Sequence, residues 1–147
     1  MYVKLANGAA SVFPFNLGDL RQEHPNTSFP SPISNSVLAE YNVYPVTIAT
    51  PPQYDNKTHR AVQGVANVSG TWVQTWTLKE LPFEQASSNV RGHRNYLLAE
   101  SDWTQLPDSP LNLDAKGAWQ LYRETLRMIP QQQGFPWNVT WPPEPTT

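Results

Sequence analysis

The segment Ala118-Trp-Gln-Leu-Tyr-Arg-Glu-Thr-Leu-Arg-Met-Ile-Pro130 carries the clearest periodic signature in the chain. Trp119, Tyr122, Leu126 and Ile129 recur at steps of three and four, the spacing that stacks side chains on one face of an α-helix. Lys116, Gln120, Arg123, Glu124 and Arg127 fall outside that stripe and are expected on the wet side. Asn112 or Asp114 is suited to open the helix, because a short polar side chain accepts hydrogen bonds from first-turn amides. Pro130, which has no amide donor, is expected to close it.

Working outward, the pattern also turns helical from about Phe83, with Val90, Arg94, Leu97 and Leu98 on a stripe and Ser87 or Ser88 as candidate cap. Gly92 weakens this helix by roughly 1 kcal/mol relative to alanine. The helix should fray after Glu100, where Asp102-Trp-Thr-Gln-Leu-Pro-Asp-Ser-Pro110 forms a connector held by Trp103 and Leu106. Together the two helices make an αα-hairpin or helical corner. Beyond them Phe135-Pro-Trp-Asn-Val-Thr-Trp-Pro-Pro143 is expected to be extended, its Trp137, Val139 and Trp141 alternating like a strand that lays one face on something.

The N-terminal half has a different period. Tyr2 to Ala6 and Ser11 to Phe15 flank Asn7-Gly8, a pair that readily takes the positive φ angles of a tight hairpin turn. Asn16 can cap a brief helix through Leu17, Leu20 and Arg21 that ends before Pro25. Ser34 or Asn35 can cap a second, carrying Val37, Leu38 and Tyr41. Val43 to Ile48 reads as a strand, and Pro45 predicts an edge position or a strand start. His59 to Val68 and Thr71 to Leu78 form a hairpin joined at Ser69-Gly70. In its second strand Trp72, Gln74, Trp76 and Leu78 share one face and Val73, Thr75 and Thr77 the other, so the tryptophan face is expected to be covered.

These elements define an α+β protein, with a β-rich part over residues 1–82 and a helical hairpin with an extended tail over 83–147. The length of 147 residues allows one compact domain or two small units. Hydrophobic residues make up 39% and charged residues 15%, while 15 prolines and 6 tryptophans are many for this length, which points to a loop-rich fold with aromatic anchors. A net charge of −2 without a clustered basic surface argues against nucleic acid as partner and for protein. There are no cysteines, so disulfides and thiolate metal sites are excluded and folding rests on packing. No apolar run approaches the length of a membrane span, and the N-terminus lacks the features of an export signal. The N-x-[ST] sequences at Asn26, Asn56, Asn67 and Asn138 would matter only in a secreted eukaryotic protein.

The chain offers little chemistry. His24, His59 and His93 fall in three separate elements without the close spacing of a zinc pair, so no metal is expected. There is no G-x-S-x-G elbow, no phosphate-binding loop and no dinucleotide fingerprint, so neither a cofactor nor enzymatic activity is expected. Glu100 and Asp102 read better as charge partners of Arg91 and Arg94 than as a catalytic pair. A glycan hydrolase would need a carboxylate pair in a cleft, and the sequence indicates none.

Three longer motifs remain: the run from Arg91 and Arg94 through Leu97-Leu-Ala-Glu-Ser-Asp-Trp-Thr-Gln-Leu-Pro-Asp-Ser-Pro-Leu111, then Ala118-Trp-x-x-Tyr-Arg-x-x-Leu-Arg-x-Ile-Pro130, then Gly134-Phe-Pro-x-x-Val-x-Trp-Pro142. Over residues 90–142 this pattern resembles the phage tail (tail-fibre) assembly chaperone family. Gly92, where the family usually has a charged helix former, and the polar Gln131-Gln-Gln133 depart from it. The resemblance implies a bacteriophage protein, made in the host bacterial cytoplasm, that binds tail-fibre protein and assists its folding, trimerisation or attachment. An alternative is a structural subunit of the tail fibre or baseplate retained in the mature virion. Buried aromatics carry much of the energy at interfaces, so Trp72, Trp76, Trp103, Phe135, Trp137 and Trp141 are the expected partner-binding residues. A homo-oligomer is compatible with this reading.

Overall fold

A computed structural model describes residues 1–146; Thr147, the last residue of the expected tail, lies outside the described residues. The chain divides into two compact units, one formed by Met1–Gln53 with Ala61–Leu78, the other by Tyr54–Arg60 with the chain from Lys79 onward.

In the first unit, Asn7 and Gly8 both take positive φ (52° and 79°), and the turn they make joins β1 (Tyr2–Ala6) to β2 (Ala9–Phe15). Two short helices follow, α1 (Leu17–Glu23) and α2 (Asn35–Glu40), before β3 (Val43–Thr47). Asn16 occupies the cap position of α1 through its carbonyl, but its side chain makes no capping bond. Ser34 caps α2, its hydroxyl accepting from the Val37 amide at 3.4 Å. Ser69 and Gly70 repeat the positive-φ turn (50° and 87°) between β4 (His59–Val68) and β5 (Thr71–Glu80). The result is a mixed five-stranded sheet in the order β2-β1-β3-β5-β4. Its core cluster joins Phe15, Leu20, Ile33, Leu38 and Val43, with Tyr2, Phe29 and Tyr41 packed around them.

Pro45 does not mark an edge. β3 is the central strand, antiparallel to β1 and parallel to β5. Pairing geometry explains the tolerance. The Val46 amide donates to the Met1 carbonyl at 3.0 Å, and antiparallel pairs alternate, so position 45 faces away from β1. On the other side the pairing with β5 starts only at Val46 opposite Trp72, so the missing proline donor costs no ladder bond.

The tryptophan face of β5 is partly covered within its own unit. Trp72 and Trp76 are half-buried and Gln74, between them, is buried. The Trp76 indole donates to the Ala49 carbonyl at 2.8 Å, and the Gln74 side-chain Oε1 accepts from the Ala49 amide at 3.2 Å. The chain leaving β3 is thus hydrogen-bonded to this face.

In the second unit α3 (Phe83–Glu100) and α4 (Leu113–Met128) are joined through a 3-10 turn at Asp102–Gln105. Neither Ser87 nor Ser88 caps α3. The helix starts at Phe83 and its cap position is Pro82, whose carbonyl accepts from the Ala86 amide at 3.0 Å. Ser87 instead lies on the buried face with Ala86 and Val90. Asn112 does cap α4, its side chain accepting from the Ala115 amide at 2.8 Å. The periodic stripe Trp119, Tyr122, Leu126 and Ile129 is buried together with Val90.

The expected extended tail begins instead with turns over residues 133–137. Gly134 adopts φ +96° and its carbonyl accepts from the Asn138 amide at 2.9 Å, which folds the chain back before any strand can start. Past Asn138 the described residues form no regular element.

Candidate partner-binding surface

The helical unit is locked at one corner. Arg123, expected on the wet side, is 8% exposed. Its guanidinium donates to the Leu98 carbonyl at 2.6 Å, to the Ser101 hydroxyl at 2.7 Å and to the Asp102 carboxylate at 2.6 Å. The Ser101 hydroxyl in turn bonds the Leu97 carbonyl at 2.8 Å, and the Thr104 hydroxyl donates to the Ser101 carbonyl at 2.7 Å. Carbonyls in the last turn of a helix have no intrahelical donors, and a cation there also opposes the helix dipole. Arg123 therefore serves as a distant cap for α3.

This geometry reassigns several expected roles. Asp102 pairs with Arg123, whereas Arg91 donates to Ser87 and lies over the Phe135 ring at 5.1 Å, and Arg94 donates to Asn95 at 3.0 Å. The connector is held by fully buried Thr104 rather than by Trp103 and Leu106, which are exposed. Helical periodicity alone placed Arg123 beside the solvent-facing residues. The available signal was its spacing of one from Tyr122 on the stripe, which allows a long side chain to reach inward.

The aromatic residues proposed from the sequence fall in different settings. Trp72 and Trp76 belong to the sheet of the first unit. In the second unit Trp103 lies 6.1 Å from Trp119, centroid to centroid. Phe135 and Trp137 both meet Phe83 edge-on, at 6.5 and 5.8 Å, and the Trp137 indole donates to the Leu81 carbonyl at 2.9 Å. Trp141 meets His93 edge-on at 4.7 Å and packs on the helical core. Burial, and then the Lys57 ammonium, hold the His93 imidazole below its ordinary value, while Asp55 acts in the opposite direction. Tyr122 is pushed up by burial and by Glu144.

Trp141 also contributes to a groove of ≈ 470 Å³ beside α4, with Leu121, Tyr122 and Thr125 on the helix side and Pro142, Pro143 and Pro145 on the other. Its far wall is pinned by Gln132. The Gln132 side chain donates to the Thr140 carbonyl at 2.9 Å and accepts from the Thr140 amide at 2.7 Å, as a neighbouring strand would. Leu121 is 65% exposed at this groove, and Leu113 (87%) and Met128 (52%) are exposed elsewhere along α4. Sequence reasoning missed Leu121 because the buried stripe already accounted for the helix. Its signal was the second apolar set, Leu113, Leu121 and Met128, at near-helical steps.

Among the described residues no group of His, Asp or Glu could hold a metal ion, and no helix is long and apolar enough to cross a membrane. What the helical unit presents is a hydrogen-bonded helical corner with apolar side chains left at its surface. Residues 87–146, within the helical unit, match the family model described as phage tail assembly chaperone protein. No curated protein and no solved structure matches the chain.

Proposed function

We propose that this chain binds tail-fibre protein in the host bacterial cytoplasm during phage assembly and assists its folding, trimerisation or attachment, without catalysing a reaction. The observation that carries the reading is the exposed Leu121 at a proline- and tryptophan-lined groove, within the segment that matches a tail assembly chaperone family. Unassembled fibre chains expose apolar surface that associates off-pathway, and a concave apolar surface can hold it until correct partners meet. Trp141 lines this groove, and the exposed ring of Trp103 offers a second contact on the same unit.

Co-purification with tail-fibre protein tests the reading. Leu121→Asp places a charge in the groove and is expected to weaken capture at least about tenfold, as burying one unpaired charge at an interface does. Retention of full capture by a folded Leu121→Asp variant rejects the groove as the site. Quantification of the chain in purified virions then separates two roles. Absence from the particle fits a transient assistant, and a fixed near-integer ratio to fibre protein fits a structural subunit of the tail fibre or baseplate.

A further inference from the structure

The five-stranded sheet ends in two unlike edges. β2 carries Pro14, and its pairing with β1 shifts register twice, features that spoil an edge as a template for further strands. β4, the other edge, runs ten residues without proline or a β4 acidic residue, and from Ala61 to Val68 it has no charge at all. Such an edge is a ready acceptor for another strand.

The β4 register can be derived. The two-residue turn at Ser69-Gly70 makes Val68 and Thr71 the closing hydrogen-bonded pair, so Gly64 lies opposite Thr75. The contact geometry agrees, since a Cβ on Gly64 would lie 2.9 Å from the Thr75 hydroxyl. Even-numbered residues of β4 therefore ladder with β5, and the amides and carbonyls of Ala61, Gln63, Val65 and Asn67 face the free edge. Among the described residues none bonds to these groups.

We infer that the β4 edge pairs with the β4 edge of a second copy of this chain, antiparallel about a two-fold axis at Gly64. That register sets Ala61 opposite Asn67 and Gln63 opposite Val65 of the second copy as hydrogen-bonded pairs, giving about eight backbone bonds. Gly64 meets its own counterpart at a non-hydrogen-bonded site, where opposed residues approach most closely, and it has no side chain to collide. Val62 falls opposite Ala66, an apolar match on the same face. The charges agree with this occupant. Arg60, the formal charge of β4, is carried to opposite ends of the ribbon, whereas parallel pairing would set the two guanidinium groups side by side. A two-fold arrangement is also the commonest form of self-association.

Sedimentation velocity on the full chain, with residue-resolved amide exchange across a concentration series, tests the inference. A dimer is expected, with exchange at Ala61, Gln63, Val65 and Asn67 slowing as concentration rises while Val62, Gly64 and Ala66 stay unchanged. Val65→Pro removes only an outward-facing donor and should give a folded monomer by sedimentation and circular dichroism. Should that variant unfold, Ala66→Lys serves instead, since it sets a charge beside the apolar pair with Val62 and is also expected to be monomeric. A wild-type chain that stays monomeric overturns the inference, including one whose edge instead takes up an extended fibre-derived peptide. A dimer that survives in the folded variant, or one whose exchange protection appears elsewhere, overturns it equally.

Discussion

Arg123, midway along α4, donates to the main-chain carbonyl of Leu98, in the last turn of α3, across 2.6 Å. The bond joins two helices through a backbone acceptor that would otherwise lack a helical partner. It also explains the composition of the matched motif, since Leu98, Ser101, Asp102, Thr104 and Arg123 all belong to one hydrogen-bonded corner.

Arg123→Ala should destabilise the chain by about 2–3 kcal/mol, because it removes the charge-assisted hydrogen bonds to the Leu98 carbonyl and the Ser101 hydroxyl and leaves those two groups only their bonds to one another and to Leu97. Asp102→Asn should cost less than about 1 kcal/mol, since its carboxylate is largely solvated. Urea unfolding of both variants decides the point. Equal losses would show that the ion pair, rather than the backbone cap, holds the corner.

Two asparagines at helix starts should behave differently. Asn112 accepts a first-turn hydrogen bond at 2.8 Å, and Asn112→Ala should cost about 1 kcal/mol. Asn16 makes no side-chain capping bond, and Asn16→Ala should stay within about 0.5 kcal/mol of wild type. Thermal unfolding of the pair is the check, and a larger loss at Asn16 contradicts the cap geometry.

Gln132 replaces a strand neighbour for Thr140. Gln132→Ala removes both bonds, and exchange of the Thr140 amide should accelerate by about tenfold, the factor that one net hydrogen bond supplies. Unchanged exchange at Thr140 would mean that the groove wall is held by the packing of Trp141 alone.

His93 links acidity to stability. Burial and then Lys57 lower its folded-state pKa, so below the ordinary imidazole value the unfolded chain binds more protons than the folded one. The contribution of His93 is therefore fully present above about pH 6.5 and is lost as pH falls through the window beneath it. Asp55 limits the effect from the opposite direction. Nuclear magnetic resonance titration should place the His93 midpoint below that of a free imidazole, and Lys57→Gln should move it up. A midpoint above the ordinary value, or no response to the Lys57 change, contradicts this account.

Much of the architecture was legible before any coordinates. Asn7-Gly8 and Ser69-Gly70 announce tight turns because few residue pairs tolerate two successive positive φ angles, and both sites have them. Trp119, Tyr122, Leu126 and Ile129 announce a buried helix face because a helix repeats every 3.6 residues, and that face is buried. The pairs Asn112 or Asp114 and Ser34 or Asn35 announce helix starts because short polar side chains can reach first-turn amides, and the structure selects Asn112 and Ser34. The C-terminal family motif was equally visible as a pattern of residues.

The remaining features depended on neighbours distant in sequence. Pro45 reads as an edge residue in isolation, yet it lies in the central strand because β5 begins to pair one residue later. Periodicity put Arg123 toward water, but the end of α3 supplied carbonyl acceptors that drew its long side chain inward. Gly134 turned the tail back through a φ that alternation of Trp137, Val139 and Trp141 could not reveal. Local sequence determined turns, caps and apolar stripes because each depends on a residue's own torsions and near neighbours. Strand order, the partner of each charge and the groove at Leu121 were decided by tertiary structure, because each requires groups brought together from distant parts of the chain.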